Sequence, residues 1–209
     1  MDISAAVNRV IVPGRDVNHL RWNGARGHYE VYYLTFNHLP TRMGFWLRYT
    51  LEVPLHAEGA CELWGHVFDA RAPEQSFGLK ERFSLSHLDR PAEGLVRIGN
   101  ALLTATRATG ALGEGARSLR WDLAFAASER AIFMAPYPLR ALGLASTSML
   151  VAHPDARFGG HVEIGGRALE SPHQGTAGGA AYGRSIRLES PHQGTAGGAA
   201  FGRSIRLEP

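Results

Sequence analysis

Ten histidines and a single cysteine are the residues whose types could hold a metal in this sequence. Metal ligands recur at short, fixed spacings because one ion must be reached from neighbouring positions of one element. No His-x-His, His-Glu-x-x-His or Cys-x-x-Cys occurs, and His173 and His192 are copies of each other in a repeat. The histidines read as strand-surface or polar-cluster residues, and no metal is expected. Gly175-Thr-Ala-Gly178-Gly179 lacks the Gly-Lys-Ser/Thr of a phosphate loop. Gly183-Arg184-Ser185 is not a nucleophile elbow, because Arg187 stands where that turn needs glycine. No cofactor is expected.

Carboxylates set among apolar side chains can serve as general acids, since desolvation raises their pKa. Glu30, Glu52, Glu62 and Asp122 lie in strand-like runs beside aromatics, and Glu30 and Asp122 are the candidate proton donors. Arg48 and Glu52 share a strand face but stand about 13 Å apart at the strand rise. Arg48 is therefore expected to meet Glu30 or Glu62 across the sheet. Ordinary cross-strand ion pairs are the competing reading for all of these charges. Among the aromatics, Tyr32, Trp46, Tyr49, Trp64 and Trp121 are the candidates for the wall of a cavity holding an apolar small molecule. In a filled sandwich the same residues would be core. Strand parity places Trp46 and Tyr49 on opposite faces, so one of the two cannot line that wall.

The elements that must carry these residues read as short strands. Two long runs, His28 to Asn37 and Phe45 to Val53, flank a loop holding Pro40, and the second alternates Phe45, Leu47, Tyr49, Leu51 and Val53 against Trp46, Arg48, Thr50 and Glu52. Further strands are predicted over Ala60–Asp69, Phe77–Leu85, Leu95–Ile98, Asn100–Thr109 and Arg117–Phe125, with the last two joined through the glycine-rich 110–115. A helix competes for 100–109 because Ala and Leu dominate it. Arg157 to Ile164, Gly165-Gly166 and Arg167 to Leu169 carry a two-residue hairpin signal. Val10 to Val12 reads as an edge strand, Asp16 as a cap, and 131–152 shows no clear period. Few helical patterns and strands every 8–15 residues or so argue for an antiparallel barrel or sandwich.

With 209 residues, 44% hydrophobic and 20% charged, the chain has the composition of one well-buried β domain. The net charge is +3, Lys80 is the one lysine, and there is no basic run, so nucleic acid is not an expected partner. Cys61 has no intrachain disulfide partner, and the N-terminus lacks the pattern of a signal peptide, so a cytoplasmic location is expected.

Residues 169–187, LESPHQGTAGGAAYGRSIR, recur at 188–206 with Tyr182 replaced by Phe201 as the one change. Two copies are too few for a solenoid. They read as a tandem duplication, partly flexible, in which at most one copy does the structural work; a flexible tail and two strands of a hairpin are the competing readings.

The runs GHYEVYYLTFN, GFWLRYTLEVP, ELWGHVFDA, VRIGNALLTATRATG, SLRWDLAF and AHPDARFGGHVEIGGRALE resemble the lipocalin-like proteins related to carotenoid 1,2-hydratase (hydroxyneurosporene synthase) and tocopherol cyclase. The resemblance covers about residues 20–170. It implies two successive lipocalin-like β domains meeting around a cavity for isoprenoid chains, with water added to an alkene by protonation and without a redox cofactor. The family's His-x-Trp-Gly segment reads Ala180-Ala181-Tyr182-Gly183 here and Ala199-Ala200-Phe201-Gly202 in the second copy, and its later Tyr-x-Asp strand has no counterpart. No catalytic residue carries over from it.

The expectation is an all-β, antiparallel lipocalin-like barrel or sandwich. A lead-in occupies 1–19, the β domain 20–168 and the Gly/Ala-rich repeated tail 169–209. Its expected role is binding an isoprenoid- or lipid-like ligand. The alternatives are an active hydratase or cyclase, or a half-protein completed by homodimerisation; peripheral membrane contact is a further expectation.

Overall fold

The computed structural model describes residues 20–91, 95–127, 132–133, 147–170 and 173–183. The predicted strand at Val10 to Val12 and the cap at Asp16 lie outside them. The described residues form an all-β, antiparallel, lipocalin-like fold. Four long strands come first: β1 (His28–His38), β2 (Met43–Val53), β3 (Ala60–Asp69) and β4 (Phe77–Ser84). A 3-10 turn at Leu85–His87 leads to β5 (Leu88–Asp89), β6 (Val96–Ile98) and β7 (Ala101–Leu103). Then come β8 (Arg107–Glu114), β9 (Arg117–Ala127), β10 (Ile132–Phe133), β11 (Thr147–Ile164), β12 (Arg167–Glu170) and β13 (His173–Gly183).

One hydrogen-bonded path runs β4-β3-β2-β1-β13-β11-β9-β8-β7-β6-β5, with β10 and β12 attached to β11. β4 and β5 are its two ends, so the sheet is not closed. It curls until its halves face each other. The indole N–H of Trp121 on β9 donates to the hydroxyl of Tyr49 on β2 at 3.1 Å. A Cβ placed on Gly65 of β3 would stand 2.7 Å from a methyl of Leu119 on β9 and 3.2 Å from one of Leu112 on β8.

Period-2 alternation fills the space between the halves. Tyr32, Leu34 and Phe36 of β1, Phe45, Leu47, Tyr49 and Leu51 of β2, and Cys61, Leu63 and Val67 of β3 are all buried. They meet Leu119, Trp121, Leu123 and Phe125 of β9 and Phe158 and Val162 of β11 in one core. Phe36 and Phe45 stack with ring centroids 5.0 Å apart, and Phe125 and Phe158 lie at 5.3 Å. Such pairs add about 0.5–1.5 kcal/mol each beyond their area burial.

The first copy of the repeat belongs to this sheet. Residues 169–170 end β12, and β13 pairs with β1 along eleven positions from His28↔Gly183 to His38↔His173. β13 also pairs with β11, with register shifts on either side of His153. The sheet therefore continues past residue 168, the expected edge of the β domain. The second copy lies outside the described residues.

The glycine-rich stretch 110–115 departs from expectation. Strand β8 runs through Gly110 and Gly113 to Glu114, and the turn to β9 is Gly115-Ala116. Residues 104–106 form the turn that splits the predicted strand 100–109 into β7 and the start of β8, and no helix forms there. Gly110 is needed inside the strand because its Cβ would stand 2.4 Å from the Trp121 ring. The hairpin at Gly165-Gly166 forms as read, both residues having positive φ (56° and 84°), as a type I′ turn requires. Part of 131–152 is strand, in β10 and the start of β11; residues 134–146 lie outside the described set.

Tyr49→Phe would leave the Trp121 indole N–H buried without its acceptor. A loss of about 1–3 kcal/mol is expected in urea unfolding, the usual cost of an orphaned buried donor; an unchanged midpoint would show that this bond does not hold the two halves together.

Candidate functional site

The outer face of the β1–β4 meander gathers the aromatic side chains that the core does not absorb. Register builds this face row by row. Thr35, Trp46, His66 and Gly78 are paired neighbours across the four strands, followed by Tyr33, Arg48, Trp64 and Lys80, then Val31, Thr50, Glu62 and Arg82. Phe68 stands at the end of β3, half exposed, beside the β1–β2 turn that carries the exposed Leu39.

The rings and charges interlock. Trp46 lies against His66 with centroids 5.1 Å apart, and His66 stacks on Phe68 at 5.9 Å. Gly78 makes room for the imidazole, since a Cβ there would come within 2.6 Å of it. The Arg48 guanidinium sits 5.7 Å from the Trp46 ring centroid and 5.6 Å from that of Trp64, while Lys80 Nζ lies 4.2 Å over Trp64. Cation–π contacts of this kind contribute about 0.5–1 kcal/mol at exposed positions. Arg48 also donates to the Tyr29 hydroxyl. Glu62, 4% exposed, accepts from Lys80 at 2.9 Å, Arg82 at 2.8 Å and the Trp64 indole at 3.2 Å. Arg48 Nε and Thr50 Oγ1 are buried on this face with no hydrogen-bond partner. Arg48 thus meets neither Glu30 nor Glu62, the partners expected of it. Glu30 lies on the inner face, and Glu62 is occupied by other cations.

The five expected cavity residues divide between the two sides. Trp46 and Trp64 are outside and partly exposed; Tyr32, Tyr49 and Trp121 are inside and at most 3% exposed. They do not share one wall, for the parity reason that already separated Trp46 from Tyr49. Tyr49 and Trp121 are joined to each other. Tyr32 instead donates to Glu30 Oε1 at 2.7 Å, and its burial, reinforced by that carboxylate, pushes its hydroxyl far above the usual tyrosine range.

Of the two candidate acids, Glu30 is 2% exposed and accepts from both the Arg21 and Trp22 amides, besides contacting His28 Nε2 at 2.9 Å. It anchors residues 21–22 to β1. The Asp122 side chain is 42% exposed and takes a bidentate pair from Arg107 at 3.0 and 2.8 Å. Burial pushes the Cys61 thiol up to about 11, so it is not poised as a nucleophile. Among the described residues no group of three or more His, Cys, Asp or Glu could hold a metal ion. No described helix is long and apolar enough to cross a membrane.

The chain matches no protein-family model and no curated protein sequence. Its fold is similar to the 2.00 Å crystal structure of an AttH candidate (NE1406) from Nitrosomonas europaea, with a TM-score of 0.54 and 14% identity. The match covers 86% of this chain and 59% of that one, so this chain spans less than two thirds of its neighbour. At that identity the likeness concerns the fold.

Sequence reading singled out Trp46 and Trp64, and period 2 sets Arg48 on the face of Trp46 and His66 and Phe68 on the face of Trp64; it did not join the two sets or add Lys80. The signal was present in the alternation of β2 and β3. What was missing was the register that sets Trp46 opposite His66 and Arg48 opposite Trp64.

Burial holds His66 below its ordinary value of 6.5. A lowered folded pKa means that the unfolded chain binds the proton more readily, so stability is full above about pH 6.5 and declines as pH falls through that value toward the folded one. His66→Phe removes this component. Urea midpoints of wild type and variant are expected to diverge below about pH 6.5, wild type falling faster; parallel curves would contradict the assignment.

Proposed function

We propose that this chain is a non-catalytic binding module that holds an apolar, isoprenoid- or lipid-like molecule against the outer face of β1–β4. One contrast carries the reading. Among the described residues the inner face is taken up by one buried core, whereas the outer face presents Trp46, Trp64, His66 and Phe68 as one partly exposed aromatic surface. An extended hydrocarbon laid along these rings removes apolar surface from water on both partners. Lys80 and Arg82, whose side chains are 43% and 57% exposed beside these rings, would face an oxygen-bearing head group. The lipocalin-like fold and its structural neighbour are compatible with a ligand-binding role for the β domain.

A second reading is favoured by the same exposed rings: the face of Trp46, Trp64, His66 and Phe68 is covered by protein, a second copy of this chain. An active hydratase or cyclase has less support. The contacts of Glu30 satisfy a carboxylate acceptor, and Asp122 is half exposed and paired.

The test is calorimetric titration with geranylgeraniol and with oleate. Trp46→Ala and Trp64→Ala are each expected to weaken binding about tenfold, corresponding to roughly 1.4 kcal/mol, while Glu30→Gln leaves it unchanged. Wild-type affinity in both tryptophan variants would remove the ligand from this face. A sedimentation mass twice 22.7 kDa that returns to the single value in Trp64→Ala would favour the second copy instead.

A further inference from the structure

The β13 position has demands that few sequences meet. At Gly175 a Cβ would stand 1.9 Å from the Thr35 carbonyl oxygen and 2.5 Å from Phe36 Cα. Backbone cannot yield by that much. The neighbouring strands also use the space over β13. Phe36, paired with Gly175 on one side, and Phe158, in the strand on the other, approach to 5.1 Å between ring centroids. Their strands are separated by a whole strand, roughly 9–10 Å from one backbone to the other. Only a residue without a side chain at 175 leaves room for those rings to meet.

The chain contains a second segment that meets every one of these demands. Residues 192–202, HQGTAGGAAFG, match β13 at each position except Phe201 for Tyr182, and Gly194 stands where Gly175 does. We propose that the two copies are interchangeable occupants of the slot between β1 and β11, so that the chain carries a spare for its own central strand. In the exchanged form 192–202 pairs with β1 in the register now held by 173–183, and the link from β12 grows from 171–172 to 171–191. Closing the longer link disfavours that form by roughly thirty-fold on loop-entropy grounds. The first copy therefore fills the slot in the intact chain, and the second takes over when the first is damaged. This inference rests on the strand register and the repeat, independently of any ligand.

Three full-length variants test it by thermal unfolding and by hydrogen exchange with mass spectrometry. Gly175→Val bars the first copy, Gly194→Val bars the second, and the double variant bars both. Gly194→Val is expected to unfold like wild type. Gly175→Val should keep a cooperative transition at a lower midpoint, with amide protection moved from 173–183 to 192–202. The double variant should lose the transition. Loss of folding in Gly175→Val alone would overturn the proposal, as would a double variant that still folds cooperatively.

Discussion

The structure depends on a strand in which seven of eleven residues are glycine or alanine. β13 is the joint between the β1–β4 meander and the half built from β5 to β12, and every route through the sheet from one half to the other crosses it. Its glycines and alanines have little intrinsic preference for a strand. They are held there by backbone hydrogen bonds on both sides and by the need of their larger neighbours for room. At Gly175 β13 lies between Phe36 of β1 and Ala156 of β11, and the Phe36 ring reaches across to Phe158, two residues along β11. A weak strand by propensity is thus a strict one by sterics.

From that joint the two faces of the meander follow. Curling the sheet brings Tyr49 against Trp121 and Gly65 against Leu119, which fills the inside with side chains in mutual contact. The same alternation that sends Phe45, Leu47 and Tyr49 inward must send Trp46 and Arg48 outward. Two tryptophans, an imidazole and a phenylalanine then share a surface with two cations. Arg48 and Lys80 partly cover the rings instead of burying them, and Glu62 fixes Lys80 and Arg82 in place. The result is an ordered aromatic surface whose polar edge is already built.

Much of the fold was legible because alternation is a local property. The strands over 28–38, 43–53, 60–69 and 77–84, and the hairpin at Gly165-Gly166, follow from residue type and period alone. Glycine misled where it served a distant partner. Gly110 reads as a turn residue, yet it is a strand residue yielding to Trp121, and no local pattern contains that ring. The central place of β13 was hidden for the same reason: low-complexity composition resembles a tail until its neighbours are known. The candidate site was half legible. Trp46 and Trp64 stood out by type, while His66 and Arg48 gain meaning only through cross-strand register. A buried Glu30 was one of two readings, the other being an ordinary cross-strand ion pair, and the amides of Arg21 and Trp22 that occupy it come from residues ahead of β1 with no pattern of their own.

The central claim is that the meander binds an apolar ligand on its outer face and not within its core. The chain's four tryptophans allow one direct measurement, because Trp46 and Trp64 lie outside, Trp121 is buried against Tyr49, and Trp22 donates its indole to the Ala25 carbonyl. A nitrogen-15 correlation spectrum of the indole N–H groups, recorded while geranylgeraniol is added, should show the Trp46 and Trp64 signals moving together while those of Trp121 and Trp22 stay in place. Movement of Trp121 with Trp46 and Trp64 unmoved would put the ligand inside and contradict the account.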